Sequence, residues 1–193
     1  RRQPRDLSGL KIFFGAINRG ADWRPFINVL NEALESSPDF WSFEVVHDQE
    51  FFDALCLPES RKNFTPTCTH GRYLRMMSAC DVAFMPLIDT SFNQMKSDLK
   101  AVEAASLGLA PLASRVVYGK SLMEGATGAL FSDPGELSEI LARWRQQPSD
   151  AVSIGANARR WVEDSRLIAH RLDDRLYWYQ DVCRRRDQLT QAI

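Results

Sequence analysis

The segment Asp81–Ser114, DVAFMPLIDTSFNQMKSDLKAVEAASLGLAPLAS, predicts a strand, a helix and a second strand in succession. Asp81–Leu87 and Leu109–Ser114 are apolar runs of strand length, and the intervening residues from Phe92 onward repeat with a helical period. Gly108 is expected to end this helix. Two strands joined by a helix in this order favour parallel neighbours in one sheet.

The same alternation of strand and helix extends over most of the chain. Further predicted strands are the largely apolar runs Leu10–Ala16, Trp41–His47 and Gly128–Asp133, and a strand near Lys62–Pro66. The first helix, with Asp22 as its expected N-cap, follows the first run, and from Pro134 to Gln191 the pattern is helical. The sequence therefore predicts an α/β fold, a doubly wound parallel sheet of about six strands with helices on both faces and a helical C-terminal end.

Composition indicates an ordinary globular chain. Its 193 residues are 45% hydrophobic and 25% charged, with a net charge of −1. We expect residues 1–9 to be a linker and residues 10–193 to form a single domain. The balanced charge argues against a nucleic-acid partner, and the basic runs at Arg1–Arg5 and Arg184–Arg186 read as solvated. The chain begins with Arg, which indicates a piece of a longer polypeptide.

Neither a membrane span nor a metal site is predicted. No apolar run approaches the length of about 18 residues that a span needs, and no signal peptide is visible, so we expect a cytoplasmic protein. The four cysteines, Cys56, Cys68, Cys80 and Cys183, form no C-x-x-C pair, and the three histidines do not cluster. We therefore expect reduced cysteines and no bound cofactor.

The loop after the first strand is a candidate binding segment. In an open parallel sheet, ligands bind beyond the carboxyl ends of the strands. This loop offers Gly15 for close backbone approach, and Asn18 and Arg19 as polar contacts, although a plain surface turn would carry the same residues. Neither G-x-G-x-x-G nor the P-loop pattern occurs, which argues against a dehydrogenase or a P-loop enzyme.

The helix of the opening segment is the second candidate. Lys96, Lys100 and Glu103 are spaced to share one face, and Ser97 lies in or next to the first turn, where backbone N–H groups bind anions. Two cations and a carboxylate suit a nucleoside diphosphate, with Glu103 on the ribose. The alternative is a solvated face with a Lys100–Glu103 ion pair. The face expected to pack on the sheet carries Met95, Leu99, Val102 and Ser106.

The segment Asn93–Ser114 resembles group 1 bacterial glycosyltransferases, in which an N-x-x-K-S-x-L-K-x-x-E element occupies this position. Three further segments are similar in the same order, and the likeness covers Leu10–Tyr179. They are FFGAINRGADW, VVHDQEFFDAL and CDVAFMPLIDTSFN.

The resemblance implies the GT-B architecture, in which two Rossmann-like domains face each other across a cleft. This chain resembles the second, donor-binding domain, so the resemblance implies an N-terminal acceptor-binding domain of the same polypeptide that is missing here. It also implies transfer from a nucleotide-diphosphate sugar with retention of configuration and without a bound metal. The fragment alone is expected to bind donor and to transfer it poorly.

Site residues follow from the same resemblance. Asn18, Arg19, Lys96, Ser97 and Lys100 are expected to contact the phosphates or the donor sugar. Glu103 matches the ribose-binding glutamate of the family, and Phe64–Tyr73 is expected near the base. Many relatives carry a second glutamate where this chain has Met95, so the contact with the donor sugar is expected to pass to Asn93 or Lys96.

Two functions remain open at this point. The first is a glycosyltransferase donor domain whose base (uridine, guanosine or deoxythymidine), sugar and acceptor are undetermined. The alternative is a non-catalytic nucleotide- or ligand-binding module that keeps the same fold, with Met95 as a sign of lost activity. Trp161, Trp178 and Tyr179 near the C-terminus are expected to pack mainly within the domain, with at least one reaching the missing domain.

Overall fold

The computed structural model describes residues 7–186 and residue 190, and within them six strands form one parallel sheet. The strands are β1 (Leu10–Gly15), β2 (Trp41–Val46), β3 (Lys62–Thr65), β4 (Val82–Met85), β5 (Ala110–Ser114) and β6 (Ala129–Phe131). Their order is β3-β2-β1-β4-β5-β6. The predicted doubly wound parallel sheet is confirmed. Residues 1–6 of the expected linker at residues 1–9, and the expected helix end at Gln191, lie outside the described residues.

Ten α-helices accompany the strands within this part of the chain. They are α1 (Gly20–Trp23), α2 (Ile27–Ser36), α3 (Gln49–Ala54), α4 (His70–Ser78), α5 (Ser91–Gln94), α6 (Leu99–Ser106), α7 (Arg115–Tyr118), α8 (Pro134–Gln146), α9 (Pro148–Ser165) and α10 (Leu172–Arg184). Short 3-10 turns lie at Arg24–Phe26, Glu59–Arg61 and Ile168–Arg171.

Apolar side chains cover both faces of the sheet, as the period of two along a buried strand requires. On β1, Ile12 and Phe14 join one cluster, which includes Leu30 of α2 and Trp144 of α8. Phe13, between them, joins the opposite cluster with residues from α4, α6 and α7. The helices therefore form a layer on each face, and the carboxyl ends of the strands are left to the loops.

Two glycines allow α9 to approach the start of β5. Gly108 follows α6 with a φ of +77°, a left-handed conformation that favours glycine. At Gly155 of α9, a Cβ would lie 2.5 Å from the carbonyl oxygen of Gly108, which excludes any larger side chain. Helix α6 ends at Ser106, two residues before Gly108, so the predicted end of this helix is confirmed to within two residues.

The chain reverses its direction of winding between β1 and β4. After β3 it returns to the centre of the sheet, and β4 pairs with β1 through Ile12–Val82 and Phe13–Ala83. Such a reversal opens a crevice at the carboxyl ends of the two central strands. The segments after β1 and after β4, which carry most of the predicted site residues, therefore meet at one place.

The C-terminal aromatic residues divide into two environments. Trp161 on α9 is partly buried and lies against the core, with the Arg166 guanidinium 4.9 Å from its ring centre. Trp178 and Tyr179 on α10 are 57% and 58% exposed. The expectation of packing within the domain is met by Trp161, and the two residues of α10 leave their rings on the surface.

Candidate functional site

A cavity of about 250 Å³ lies in the crevice beyond β1 and β4. Its polar lining comes from four predicted residues, Arg19, Lys96, Ser97 and Lys100, and from Tyr118. Apolar side chains of the strand ends and the following loop, such as Phe84 and Leu87, complete the wall. The structure therefore brings together cations from two segments that are far apart in the sequence, the one after β1 and the one after β4.

Asp22 lies beneath these cations and is only 4% exposed. Its Oδ1 accepts hydrogen bonds from Asn93 Nδ2 at 2.7 Å and from the backbone N–H of Ile88 at 3.2 Å. Its Oδ2 lies 3.5 Å from Arg19 Nη1 and 3.8 Å from Lys96 Nζ. The buried carboxylate thus orients two cations toward the cavity, since a buried charge requires partners of this kind.

The expected role of Asp22 as the N-cap of the first helix is wrong. Arg19 occupies the N-cap position of α1, and Asp22 lies inside that helix. The side chain of Asp22 instead bonds to residues about 70 positions later in the chain. The sequence offered one local sign of this buried pairing, namely a carboxylate in the segment after the first strand. A helix N-cap accounted for that carboxylate equally well.

Asn93 connects the loop after β4 to this arrangement. It is 3% exposed, donates from Nδ2 to the carbonyl oxygen of Ile88 at 2.8 Å, and accepts a hydrogen bond from Lys96 Nζ through Oδ1. Burial, together with the neighbouring Arg19, lowers the pKa of Lys96. The Nδ2 and Oδ1 atoms of the Asn93 side-chain amide therefore both have hydrogen-bond partners, and Lys96 is held at the wall of the cavity.

Lys100 reaches the cavity from the first turn of α6. Its Nζ donates to the carbonyl oxygen of Gly15 at 2.7 Å, which joins α6 to the end of β1. Burial, followed by the positive charges of Arg19 and Lys96, lowers the pKa of Lys100 to about 8. Burial and the two neighbouring cations both disfavour the charged form of the ammonium group.

The predicted helix from Phe92 to Gly108 is interrupted, and this part of the prediction is wrong. Helix α5 ends at Gln94, and α6 begins at Leu99 with Asp98 as its N-cap. Asp98 accepts two hydrogen bonds from Arg166, at 2.7 and 2.9 Å, and they lower the pKa of its carboxyl group. Lys96 and Ser97 therefore lie in the loop between the helices and share no helix face with Lys100.

The face of α6 that packs on the sheet also differs from the prediction. Ala101, Ala104 and Ala105 are fully buried, whereas Met95 is 86% and Leu99 is 59% exposed. Val102 is only partly buried and Ser106 is exposed. Ala101 and Ala104 pack in the cluster on the sheet, whereas Ala105 packs against α9, so the small side chains allow α6 to approach both. An expectation based on large apolar residues misses them.

Glu103 lies on α6 and pairs with α4. Its Oε1 is 3.2 Å from His70 Nε2, so the alternative Lys100–Glu103 ion pair is replaced by a histidine contact. The His70 ring is parallel to the ring of Tyr73, with 6.2 Å between the ring centres, and His47 lies at the same distance from Tyr73. The end of β2 and the start of α4 therefore place aromatic rings beside the predicted ribose carboxylate.

Gly15 and Asn18 are two further predicted residues, and neither belongs to the cavity wall formed by the described residues. Gly15 contributes its carbonyl oxygen to Lys100 and leaves room for the Tyr73 ring, whose Cε2 would lie 2.6 Å from an added Cβ. Asn18 is exposed and adopts a φ of +54°, which asparagine tolerates in tight turns. Asn18 and Glu103 do not belong to the cavity wall formed by the described residues.

Tyr118 was missed in the sequence. It ends α7, directly after β5, and is 3% exposed while it lines the cavity. Burial raises the pKa of its hydroxyl group, so the phenol stays protonated. Its position after the fifth strand, at the carboxyl edge of the sheet, was the available signal.

Residues 7–186 and 190 contain neither a candidate metal-ion cluster nor a candidate membrane-spanning helix. These residues hold no group of three or more His, Cys, Asp or Glu side chains placed to share a metal ion. Among their helices, none combines the length and the apolarity that crossing a membrane requires.

Comparison with known families and structures identifies relatives of the fold. The model of the family described as glycosyl transferase-like matches residues 24–176. The C-terminal domain of the group 1 glycosyl transferase LpcC from Francisella tularensis is 17% identical, with a TM-score of 0.64 over 84% of this chain and 89% of that domain. No curated protein matches the sequence.

Two longer enzymes match through part of their length. HepE of Anabaena, solved in complex with UDP-glucose, is 18% identical, with a TM-score of 0.59 over 86% of this chain and 49% of HepE. The pneumococcal O-GlcNAc transferase GtfA, in complex with UDP and GlcNAc, is 13% identical, with a TM-score of 0.69 over 91% of this chain and 36% of GtfA. This chain therefore spans about half the length of HepE and has a Rossmann-like fold of the GT-B kind.

Proposed function

Because this chain belongs to the glycosyl transferase-like family, we propose that it is the donor-binding domain of a glycosyltransferase that uses a nucleotide-diphosphate sugar. The observation that carries the proposal is the cavity at the reversal point of the sheet, where Arg19, Lys96 and Lys100 converge. The complex of HepE with UDP-glucose supports the same class of ligand.

The diphosphate is proposed to occupy this cavity. Three cations held in place before the ligand arrives can stabilise a bound diphosphate, and they can also stabilise the charge that develops on it as a leaving group. Asp22 and the Gly15 carbonyl oxygen fix the directions of Lys96 and Lys100. The protein therefore needs little rearrangement to bind the anion.

The ribose is proposed to bind at Glu103, where the carboxylate accepts hydrogen bonds from sugar hydroxyls. His70 holds Glu103 Oε1 at 3.2 Å in the ligand-free protein and must share or release it. The base then lies toward Tyr73 and the segment before α4, where the aromatic rings offer stacking surfaces. Lys96 is the proposed contact of the donor sugar, because Nδ2 and Oδ1 of Asn93 both already have hydrogen-bond partners.

The acceptor is proposed to bind a separate, N-terminal domain of the same polypeptide. The chain spans about half of HepE, and Trp178 and Tyr179 present exposed rings on α10 that such a domain can cover. We accordingly propose that the chain alone binds donor and transfers sugar poorly, and that the complete enzyme retains the configuration of the sugar, as the family resemblance implies.

Calorimetric titration with UDP, GDP and dTDP tests donor binding. We expect saturable binding of one nucleotide, and a loss of about tenfold in affinity (about 1.4 kcal/mol) for Lys96→Ala and for Glu103→Ala. Lys120→Ala and Glu139→Ala are matched controls, since both side chains are exposed and lie outside the cavity wall. Binding is expected to persist with EDTA, because protein cations hold the phosphates.

Two results would count against this function. If none of the three nucleotides binds, the cavity does not hold a nucleoside diphosphate in this chain. If one binds and the complete protein neither transfers nor hydrolyses the corresponding nucleotide sugar, the non-catalytic binding module becomes the better description.

A further inference from the structure

The loop between α5 and α6 carries two residues of the cavity wall and ends at an aspartate with an unusual contact. Lys96 and Ser97 lie in this loop and line the cavity, and Asp98 directly follows them. Asp98 is the N-cap residue of α6, but its side chain makes no capping hydrogen bond. An aspartate at an N-cap usually accepts a hydrogen bond from a backbone N–H of the first turn, so this carboxylate serves a different contact.

That contact is a two-point pair with Arg166. Nη1 of Arg166 donates to Asp98 Oδ2 at 2.7 Å, and Nη2 donates to Oδ1 at 2.9 Å. The guanidinium also lies over the ring of Trp161, 4.9 Å from the ring centre. The side chains of Arg166 and Asp98 are 31% and 19% exposed, so solvent screens the pair only in part. Two parallel hydrogen bonds of this kind fix the orientation of both groups.

Arg166 is attached to a firmly packed part of the protein. It directly follows α9, and its backbone N–H donates to the carbonyl oxygen of Val162 at 2.9 Å. Helix α9 packs against α6 through a cluster that contains Ala105 and Val162, and at Gly155 it lies against the start of β5. The pair with Asp98 therefore joins the loop to a helix that is anchored on the sheet.

We propose that Arg166 is a positioning residue, which acts through Asp98 to hold Lys96 and Ser97 at the bound diphosphate. This inference rests on the proposed function, to which it adds a residue from outside the cavity wall. The opposite end of the loop is held separately, because the Asn93 amide is buried and hydrogen-bonded. With both ends fixed, Lys96 and Ser97 stay at the cavity wall before the ligand arrives, which reduces the entropic cost of binding.

Positioning and net charge lead to opposite expectations for Asp98. Hydrogen bonds from Arg166 lower the pKa of the Asp98 carboxyl group, so the group is an anion at neutral pH. By charge alone, removal of this anion strengthens the binding of a diphosphate. If Asp98 acts by positioning, its removal weakens that binding. Asparagine has the same size and is an equally good N-cap residue, so Asp98→Asn removes the charge and keeps the start of the helix.

The test compares the affinities of a nucleoside diphosphate and of its nucleoside, measured by calorimetry on the 193-residue chain. The diphosphate is whichever of UDP, GDP and dTDP binds most tightly. We expect Asp98→Asn and Arg166→Gln each to weaken diphosphate binding about fivefold and to leave nucleoside affinity unchanged. The control is Arg159→Gln on α9, which removes the same charge from an exposed pair with Glu163 and should change neither affinity.

A double variant and a conservative variant complete the test. Because the two residues act as one pair, Asp98→Asn combined with Arg166→Gln should lose about fivefold in diphosphate affinity, as each single variant does. Arg166→Lys keeps the charge but not the two-point geometry, so we expect a loss of about twofold. Urea unfolding confirms that each variant is folded, and Arg166→Lys decides the question if the others are not.

Three results would overturn the role of Arg166 alone. They are unchanged or tighter diphosphate binding by Asp98→Asn, an equal loss of affinity for the nucleoside, and a loss in the double variant that equals the product of the single losses. Absence of diphosphate binding by the wild type overturns both this inference and the proposed function.

Discussion

Replacing Lys100 by methionine tests whether the buried positive charge at the cavity lowers the free energy of unfolding of the protein. Burial, with Arg19 and Lys96 nearby, lowers the pKa of Lys100 from its ordinary value of 10.5 to about 8. At pH 7 the ammonium group is therefore charged in both the folded and the unfolded chain. Its burial near two other cations lowers the stability of the folded chain. Methionine has a similar length and carries no charge, so Lys100→Met removes that cost.

The magnitude follows from linkage between protonation and folding. A fall of the pKa from 10.5 to about 8 corresponds to about 3 kcal/mol of lost stability at pH 7, which is below both values. Loss of the hydrogen bond to the Gly15 carbonyl oxygen offsets about 1.5–3 kcal/mol of the gain. At pH 7, Lys100→Met is therefore expected to be as stable as the wild type or about 1–2 kcal/mol more stable.

The pH dependence is the sharper readout. Between pH 8 and 10.5 the unfolded chain keeps a proton on Lys100 that the folded chain has lost, so wild-type stability gains from rising pH in this window. The variant has no ionisable group at position 100, so its stability lacks this gain with rising pH. The stability of Lys100→Met relative to the wild type should therefore fall by about 2 kcal/mol from pH 7 to pH 9.5, and other titrating groups cancel in the comparison.

Urea unfolding of both proteins at the two pH values measures this difference, with the exposed Lys120→Met as the matched control. A bound diphosphate favours the charged lysine, so nucleotide binding by the wild type near pH 8 should take up about half a proton. Titrations in two buffers of different ionisation enthalpy detect that uptake. A stability difference that is the same at pH 7 and 9.5 would refute the reasoning.

Two further substitutions probe the support of the site. Asp22→Ala should lower the free energy of unfolding by about 3 kcal/mol, because Arg19, Lys96 and the Asn93 amide lose a buried partner; a urea midpoint close to the wild type would contradict this. Gly15→Ala should cost about 1–3 kcal/mol, since the new Cβ would lie 2.6 Å from Tyr73 Cε2. Thermal unfolding measures the second effect, and an unchanged midpoint would show that the ring moves freely.

The strands and the class of fold could be predicted because their signal is local. Apart from β3 (Lys62–Thr65), each strand is a largely apolar run that can be recognised from adjacent residues alone, and the predicted segments contain all six observed strands. The segments that follow β1 and β4 could be named as binding segments for the same reason, since the carboxyl edge follows from parallel pairing alone. Arg19, Lys96, Ser97 and Lys100 were predicted in this way, and the structure places all four at the wall of one cavity.

The interruption of the helix at Lys96–Asp98 could not be predicted, because its causes lie elsewhere in the chain. Arg166, 68 residues away, binds Asp98 at the start of α6, and Asp22, 71 residues away, holds Asn93 at the end of α5. The local pattern of Phe92–Ser106 favours one continuous helix, and these distant contacts lie on either side of the interruption. They also release Lys96 from the helix face and turn it toward the cavity.

By itself the sequence determined a parallel α/β sheet and the loops at its binding edge, since hydrophobic periodicity and turn residues act over a few positions. Tertiary structure decided which side chains of those loops form the site. It made Asp22 a buried anchor for two cations and placed Tyr118 at the cavity wall. The orientation of a side chain, its burial and its hydrogen-bond partners depend on residues distant in the sequence. They are therefore defined only once the sheet has assembled.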